Sequence, residues 1–171
     1  EFTRKMAELA MRGDAQSFSE GRWAVEAVMS VQATMAPFDD FLSFVSSASN
    51  PASVLHFLVP VLALFDQALA LQIVVAYVAA DVSNLAFKWP LQGDRPFWMD
   101  PGVRQFGHNT CEVGFGMPSG HVQVTVAVYA LLAIAVRKRW FSALVAVLVG
   151  LTALSRVHMG AHTMSRVAHW P

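Results

Sequence analysis

Apolar and polar positions divide the chain into a mixed opening stretch, four apolar runs and one long polar interruption. Over residues 1–40, Arg4, Lys5, Arg12 and Arg22 interleave with Glu1, Glu8, Asp14, Glu20 and Glu26. Trp23 to Met35 places its apolar residues near helical spacing, which predicts a short amphipathic helix at a membrane edge. The opening is not expected to be a secretory leader, because no basic start runs into an apolar core and a small-residue cleavage site. From Phe44 the apolar runs lengthen. Phe44–Phe65 is the first predicted span, softened by Ser46, Ser47, Ser49 and Asn50, with kinks expected at Pro51 and Pro60. Asp66 and Gln67 interrupt it. Ala68–Phe87 is the second and carries Asp81 and Asn84. Val122–Val136 is the third, stopped by Arg137, Lys138 and Arg139, and Trp140–Leu154 is the fourth. The last two hold 15 residues each, where crossing the hydrocarbon takes about 20, so their polar flanks are expected at the membrane surface. None alternates with the period of a barrel strand, and backbone groups inside lipid must bond internally, which predicts helices. The expected fold is all-α, a polytopic transmembrane helical bundle. It comprises a polar N-terminal segment over residues 1–40 and a transmembrane domain of about four spans over residues 41–171. Between the second and third spans, Lys88 to His121 reads as a long loop rich in Gly and Pro, and long loops in compact proteins tend to carry function.

Composition agrees with a membrane chain. Only 14% of the 171 residues are charged and 55% are hydrophobic, where a soluble domain averages roughly 25% charged. The mean hydropathy is +0.44. The 12 basic and 12 acidic residues cancel, which leaves no global positive field and argues against a nucleic-acid partner. Cys111 is the single cysteine, so neither an internal disulfide nor a paired-cysteine metal site is available.

Topology then collects the chemistry. Lys88 and Arg95 follow the second span, and Ser119 and His121 precede the third, so all four lie on one side of the membrane. Two further crossings return Arg156 and His162 to that same side. The Arg137, Lys138, Arg139 cluster falls on the other side, which the positive-inside tendency assigns to the cytoplasm. Three fixed cations with backbone amides describe a cage for a tetrahedral oxyanion such as phosphate. Arginine bonds two oxygens at once through its planar fork, and lysine supplies a movable point charge. Gly114, Gly116 and Gly120 allow close backbone approach to the anion, and a helix starting near His121 aims its free N–H groups at the same place. Of two histidines there, one can attack phosphorus and the other protonate the departing oxygen. Arg156 and His162 stand about 120° apart on an unbroken helix, so Gly160 is the expected break that turns His162 back toward the cage. Pro90 and Gly93 likewise forbid one helix from Lys88 to Arg95.

His158 and His162 have helical metal-ligand spacing, but no Glu stands beside them and no third ligand is evident, so a metal is not expected and His158 is assigned to packing or surface. Asp81, costly in an apolar span unless paired, is expected either to pair with Lys88 or Arg156 or to contact substrate. Trp89, Phe97, Trp98 and Trp140 read as interfacial aromatics, with stacking on a substrate ring as the alternative for Trp98.

Three ordered elements carry a signature: Lys88, six residues, Arg95-Pro96; then Pro118-Ser119-Gly120-His121; then Ser155-Arg156, five residues, His162. Together they resemble the type 2 phosphatidic acid phosphatase and vanadium haloperoxidase superfamily. Asp81, Asn84, Phe87-Lys88-Trp89, Gly93, Arg95-Pro96-Phe97-Trp98 and the run from Cys111 to Met117 resemble its glucose-6-phosphatase branch. The resemblance covers roughly residues 40–162 and implies a fold of the type 2 phosphatidic acid phosphatase kind. It implies that His162 is the nucleophile forming a phosphohistidine, and that His121 is the acid for the leaving oxygen and then the base for water. Lys88, Arg95 and Arg156 would bind phosphoryl oxygens, with Ser119 and Gly120 adding hydrogen bonds. No metal or other cofactor is implied.

The resemblance further implies a multi-pass enzyme of the endoplasmic reticulum membrane with its site facing the lumen. Its expected partners are a phosphorylated sugar as substrate, the lipid bilayer around it and, by family analogy, a sugar-phosphate transporter. The leading expectation is hydrolysis of a phosphate monoester, glucose 6-phosphate to glucose and phosphate. The alternatives are a lipid phosphatase taking a phosphatidic acid-like substrate, and a non-catalytic truncated isoform. Two departures accompany the resemblance. The family places Asp, or Gln in the glucose-6-phosphatase branch, four residues after the nucleophilic histidine to orient its ring, and Arg166 stands there instead. A cation cannot accept an imidazole N–H, so Arg166→Gln is expected to raise activity. The chain is also expected to be truncated, since the relatives continue through further membrane helices beyond the position of Pro171.

Overall fold

A computed structural model of the chain describes residues 22–91, 93–106 and 115–163, and among these every regular element is helical. Helix α1 covers residues 22–34. Ala24, Val25, Val28 and Gln32 are its buried positions, spaced to lie on one face of a 3.6-residue turn. A 3-10 turn, Ala36–Phe38, leads into α2, Asp39–Ala48.

The first predicted span is broken. Ser49 and Asn50 separate α2 from the next helical stretch, Pro51–Phe65, and the two are bent by 56°. The bend has a local cause. Asn50 is extended, its side chain accepts the Ala52 N–H at 3.0 Å, and Pro51 takes the first helical position, which is N-capping at a fresh helix start. The stretch comprises α3 (Pro51–Ser53), a π-helical segment (Val54–Leu58) and α4 (Val59–Phe65). Pro60 sits in the first turn of α4, where its missing N–H costs least. Asp66 ends α4 in an extended conformation and accepts the Leu69 N–H at 2.9 Å, so one residue stops α4 and starts α5, Gln67–Leu91.

Helix α5 runs four residues past the predicted end of the second span and contains Pro90 in its last turn. After the short α6, Pro96–Met99, come α7, Gly120–Val136, and α8, Arg139–His158. Arg137, in the left-handed conformation with φ 53°, makes the tight reversal between them. Helix α7 packs on both α5 and α8, while α4 lies against α5 and α2 against α8. Val54, Ile73, Ala80, Val124, Val128 and Leu132 form the buried core between these helices. Val25, Val28, Val103 and Val157 form a second one under α1.

The chain has the all-α architecture of a membrane protein. The helix beginning at Gln67 and α8 are long and apolar enough to cross a bilayer, the bent pair from Ala36 to Phe65 makes a third candidate, and α7 is apolar but 17 residues long. Large apolar side chains such as Phe57, Leu64, Leu71, Val75, Val82, Ile134 and Val147 are exposed along these helices, as lipid-facing surfaces require.

Candidate active site

The three motif elements meet at one end of the bundle because of how their helices stop and start. Lys88 lies in the last turns of α5, half-buried, one turn beyond Asn84 and therefore on the same face. Asn84 is buried and fastens α5 to the second motif. Its amide donates to the Pro118 carbonyl at 3.2 Å and to Gln123 Oε1 at 2.8 Å. A β-carbon on Gly120 would come 3.3 Å from Asn84 Oδ1, a tight fit that glycine avoids. Gln123 passes the connection back to Ser83 Oγ at 2.8 Å.

Arg95 is fully buried at the N-cap of α6, with Pro96 in the first helical position. The Met117–Pro118 peptide bond is cis. Ser119 is the N-cap of α7, so Gly120 and His121 open that helix and its first N–H groups have no partner within it. Gly116 joins the first motif to the third. Its N–H donates to the Gly93 carbonyl at 2.6 Å, and its own carbonyl accepts from Nδ1 of His162 at 2.5 Å.

Arg156 is fully buried in the last turn of α8, where Nη1 donates to Ser46 Oγ at 2.9 Å. The chain then turns at Gly160, as its sequence position predicts. The Ala161 N–H bonds to the Arg156 carbonyl at 3.2 Å, the Gly160 N–H to the Val157 carbonyl at 3.0 Å, and Gly160 has φ +69°. This is a Schellman C-cap. It delivers His162 into the interior, 1% exposed.

The charges of Arg156, Arg95 and His121 all act on the His162 ring. Burial, and next the Arg156 and Arg95 guanidiniums, hold this imidazole well below its ordinary value of 6.5, against a smaller raising effect of the Gly116 carbonyl. His162 is therefore neutral near pH 7. Its Nε2 and the Ser119 hydroxyl are buried with no hydrogen-bond partner among the described residues. Two buried guanidiniums, a helix N-terminus, an unsatisfied hydroxyl and an imidazole nitrogen form a set suited to a tetrahedral oxyanion.

The structure thus brings Arg95, Ser119, Gly120, His121, Arg156 and His162 to one place, with Lys88 on the adjoining turn of α5. Three further residues singled out in the sequence are placed as follows. Asp81 is exposed on α5, and the buried polar residue of that helix is Asn84, three positions on. His158 is not on a helix shared with His162, because α8 ends at His158. It is buried against Phe106 with ring centroids 5.2 Å apart, and among the described residues no group of His, Cys, Asp or Glu could hold a metal. Trp98 is half exposed and meets the edge of Phe97 at 5.8 Å. His108, Cys111, Glu112, Gly114, Arg166 and His169 lie outside the described residues.

Sequence reasoning missed Ser46 and the Gly116 carbonyl, and it missed a cluster behind the His162 turn. There Gln32 donates to the carbonyls of Arg104 (2.9 Å) and His158 (2.8 Å). Arg104 returns its N–H to Gln32 Oε1 at 3.0 Å and pairs with Asp39 at 3.1 Å. Gln32 carried a signal, being a polar residue on the apolar face of an amphipathic helix.

The PAP2 superfamily model matches residues 69–168, a stretch that contains every one of these motif residues. The chain belongs to the PAP2 superfamily. It is 30% identical over 167 residues to glucose-6-phosphatase catalytic subunit 1 of Haplochromis nubilus, covering 82% of this chain and 47% of that protein. It is 32% identical over 103 residues to glucose-6-phosphatase 2 of Homo sapiens, covering 54% of this chain and 29% of the relative. Against glucose-6-phosphatase 3 of Mus musculus the identity is 32% over 96 residues, or 49% and 27% of the two chains. The matched stretches thus span less than half the length of these relatives. No solved structure matches the chain.

Proposed function

We propose that the chain is a membrane phosphatase that hydrolyses a phosphate monoester, with glucose 6-phosphate as substrate, through a phosphohistidine on His162. The observation that carries this is an imidazole 1% exposed in the same pocket as two fully buried arginines. The arginines hold the phosphoryl oxygens and neutralise their charge, so that a neutral nitrogen can approach phosphorus. Nε2 of His162 forms the P–N bond as the P–O bond to the sugar breaks, and His121 gives its proton to the departing sugar oxygen. His121 then takes a proton from water, the water oxygen forms a new bond to phosphorus, and the P–N bond breaks to release phosphate and restore His162. Lys88 closes the charge cage from α5, and Ser119 with the Gly120 N–H supplies uncharged donors.

The sugar substrate is supported by the names of the relatives, and membrane residence by the apolar helices. With the Arg137–Lys138–Arg139 turn in the cytoplasm, the site at the opposite end of α7 and α8 faces the lumen of the endoplasmic reticulum. A sugar-phosphate transporter as partner belongs to the same reading by family analogy alone. Detergent-solubilised protein assayed with glucose 6-phosphate and with phosphatidic acid tests the reading. Phosphate release from the sugar ester, lost in Arg95→Ala, is the expected result. Release from phosphatidic acid alone would make it a lipid phosphatase, and release from neither would remove the activity altogether.

A further inference from the structure

We infer that the backbone carbonyl of Gly116 is the positioning group for the His162 ring, the part that a side chain at position 166 would otherwise play. The inference rests on His162 being the nucleophile and adds what sets its tautomer. A carbonyl can only accept, so the imidazole must donate from Nδ1 across the 2.5 Å contact, and in a neutral ring the lone pair then belongs to Nε2. That atom is the buried one with no other partner among the described residues. An arginine side chain carries donors only, so the side chain of Arg166 offers the ring no acceptor.

The carbonyl is itself held. The Gly116 N–H donates to the Gly93 carbonyl at 2.6 Å, which fixes the residue against the loop of the first motif. A β-carbon at position 116 would lie 3.2 Å from Arg95 Cγ and 3.2 Å from the Gly93 oxygen. Glycine lets the chain pass this close to the buried arginine without displacing it. One residue therefore sets the orientation of the histidine relative to the arginine that shares its pocket. The choice of acceptor also has an electrostatic consequence. A carboxylate would favour the imidazolium, whereas an uncharged carbonyl does so less, and among Arg156 from α8, Arg95 from the α6 cap and His121 from α7 the ring stays neutral.

Nitrogen NMR of the full chain in detergent, labelled in its histidine rings, tests the assignment without turnover. The His162 signals are those lost in His162→Gln, and a protonated and a bare ring nitrogen resonate far apart. The expected result at pH 7 is a proton on Nδ1 and a bare Nε2 by about ten to one, the ratio that one net hydrogen bond sustains. The ratio should stay unchanged in Arg166→Gln and fall in Gly116→Ala. A proton on Nε2, or a tautomer that changes with residue 166 and not with residue 116, would overturn it. Because the readout is not catalytic, a chain that releases no phosphate yet shows the Nδ1–H tautomer would refute the phosphatase reading and leave this assignment standing.

Discussion

Nε2 of His158, the last residue of α8, lies 2.8 Å from Oδ1 of Asp39, the first residue of α2. The contact closes a ring through Arg104 and Gln32, and Gln32 binds the carbonyl of His158 itself. The ring surrounds the start of the Schellman turn that places His162. The amphipathic helix α1 is thereby tied to the site although it lies outside the stretch matched to the superfamily.

Asp39→Ala should destabilise the folded chain by about 1–3 kcal/mol, the cost of leaving a buried ring nitrogen without its partner. The exposed part of the pairing, Asp39 with the half-exposed Arg104, adds little to this because surface pairs contribute about 0–1 kcal/mol. Asp39→Asn, which keeps an acceptor oxygen, should recover part of the loss. Chemical unfolding in micelles, followed by tryptophan fluorescence, measures both. Equal stability of wild type and Asp39→Ala would show that the ring does not hold α8.

Gly160→Ala should be far more damaging than Gly150→Ala. At position 160 the backbone has φ +69°, and a β-carbon would come 2.7 Å from Val103 Cγ1 and 3.1 Å from the Arg104 carbonyl. The left-handed conformation alone costs about 1–2 kcal/mol, and the clash displaces the turn carrying His162, so a loss of phosphatase activity by tenfold or more should accompany it. Gly150, inside α8, has nothing within 4 Å of its would-be β-carbon, and alanine there should raise stability by about 0.5–1 kcal/mol. Paired melting curves and turnover rates decide the comparison.

Much of the site is legible along the chain because its chemistry sits in short segments. Lys88 to Arg95, Ser119 to His121 and Arg156 to His162 each keep their spacing, and Gly160 announces the turn that the third needs. What could not be read are partners with no local signature. Ser46 meets Arg156 across 110 positions, and Gln32 meets Arg104 across 72, so nothing in either neighbourhood points to the other. The Gly116 carbonyl is a backbone group that every residue possesses. Asp81 stands out in the sequence because its charge is costly in an apolar span, and only the packing of α5 on α7 shows that Asn84 is the buried one. The 56° bend falls at Pro51, where the sequence predicts a kink, while its cause, the Asn50 side chain capping a fresh helix start, shows only in the structure.

Acid should weaken the fold through His162. Its value in the folded chain is held well below 6.5, so below about pH 6.5 the unfolded chain binds a proton that the folded chain refuses, and stability falls as pH falls. The contribution is fully present above pH 6.5 and is lost progressively below it, with a slope of up to about 1.4 kcal/mol per pH unit from this one group. Unfolding free energies measured from pH 7.5 downward should therefore decline more steeply in the wild type than in His162→Gln. Parallel slopes would mean that the ring is not buried neutral.

If His162 takes the phosphoryl group, a phosphohistidine forms during turnover. Rapid acid-free quenching of the purified chain with phosphate-labelled glucose 6-phosphate, followed by electrophoresis at alkaline pH, detects a phosphohistidine directly. The expected result is label on the protein that survives alkali, is lost in acid and is absent from His162→Ala. Phosphate release by the wild type with equal labelling of His162→Ala would contradict it.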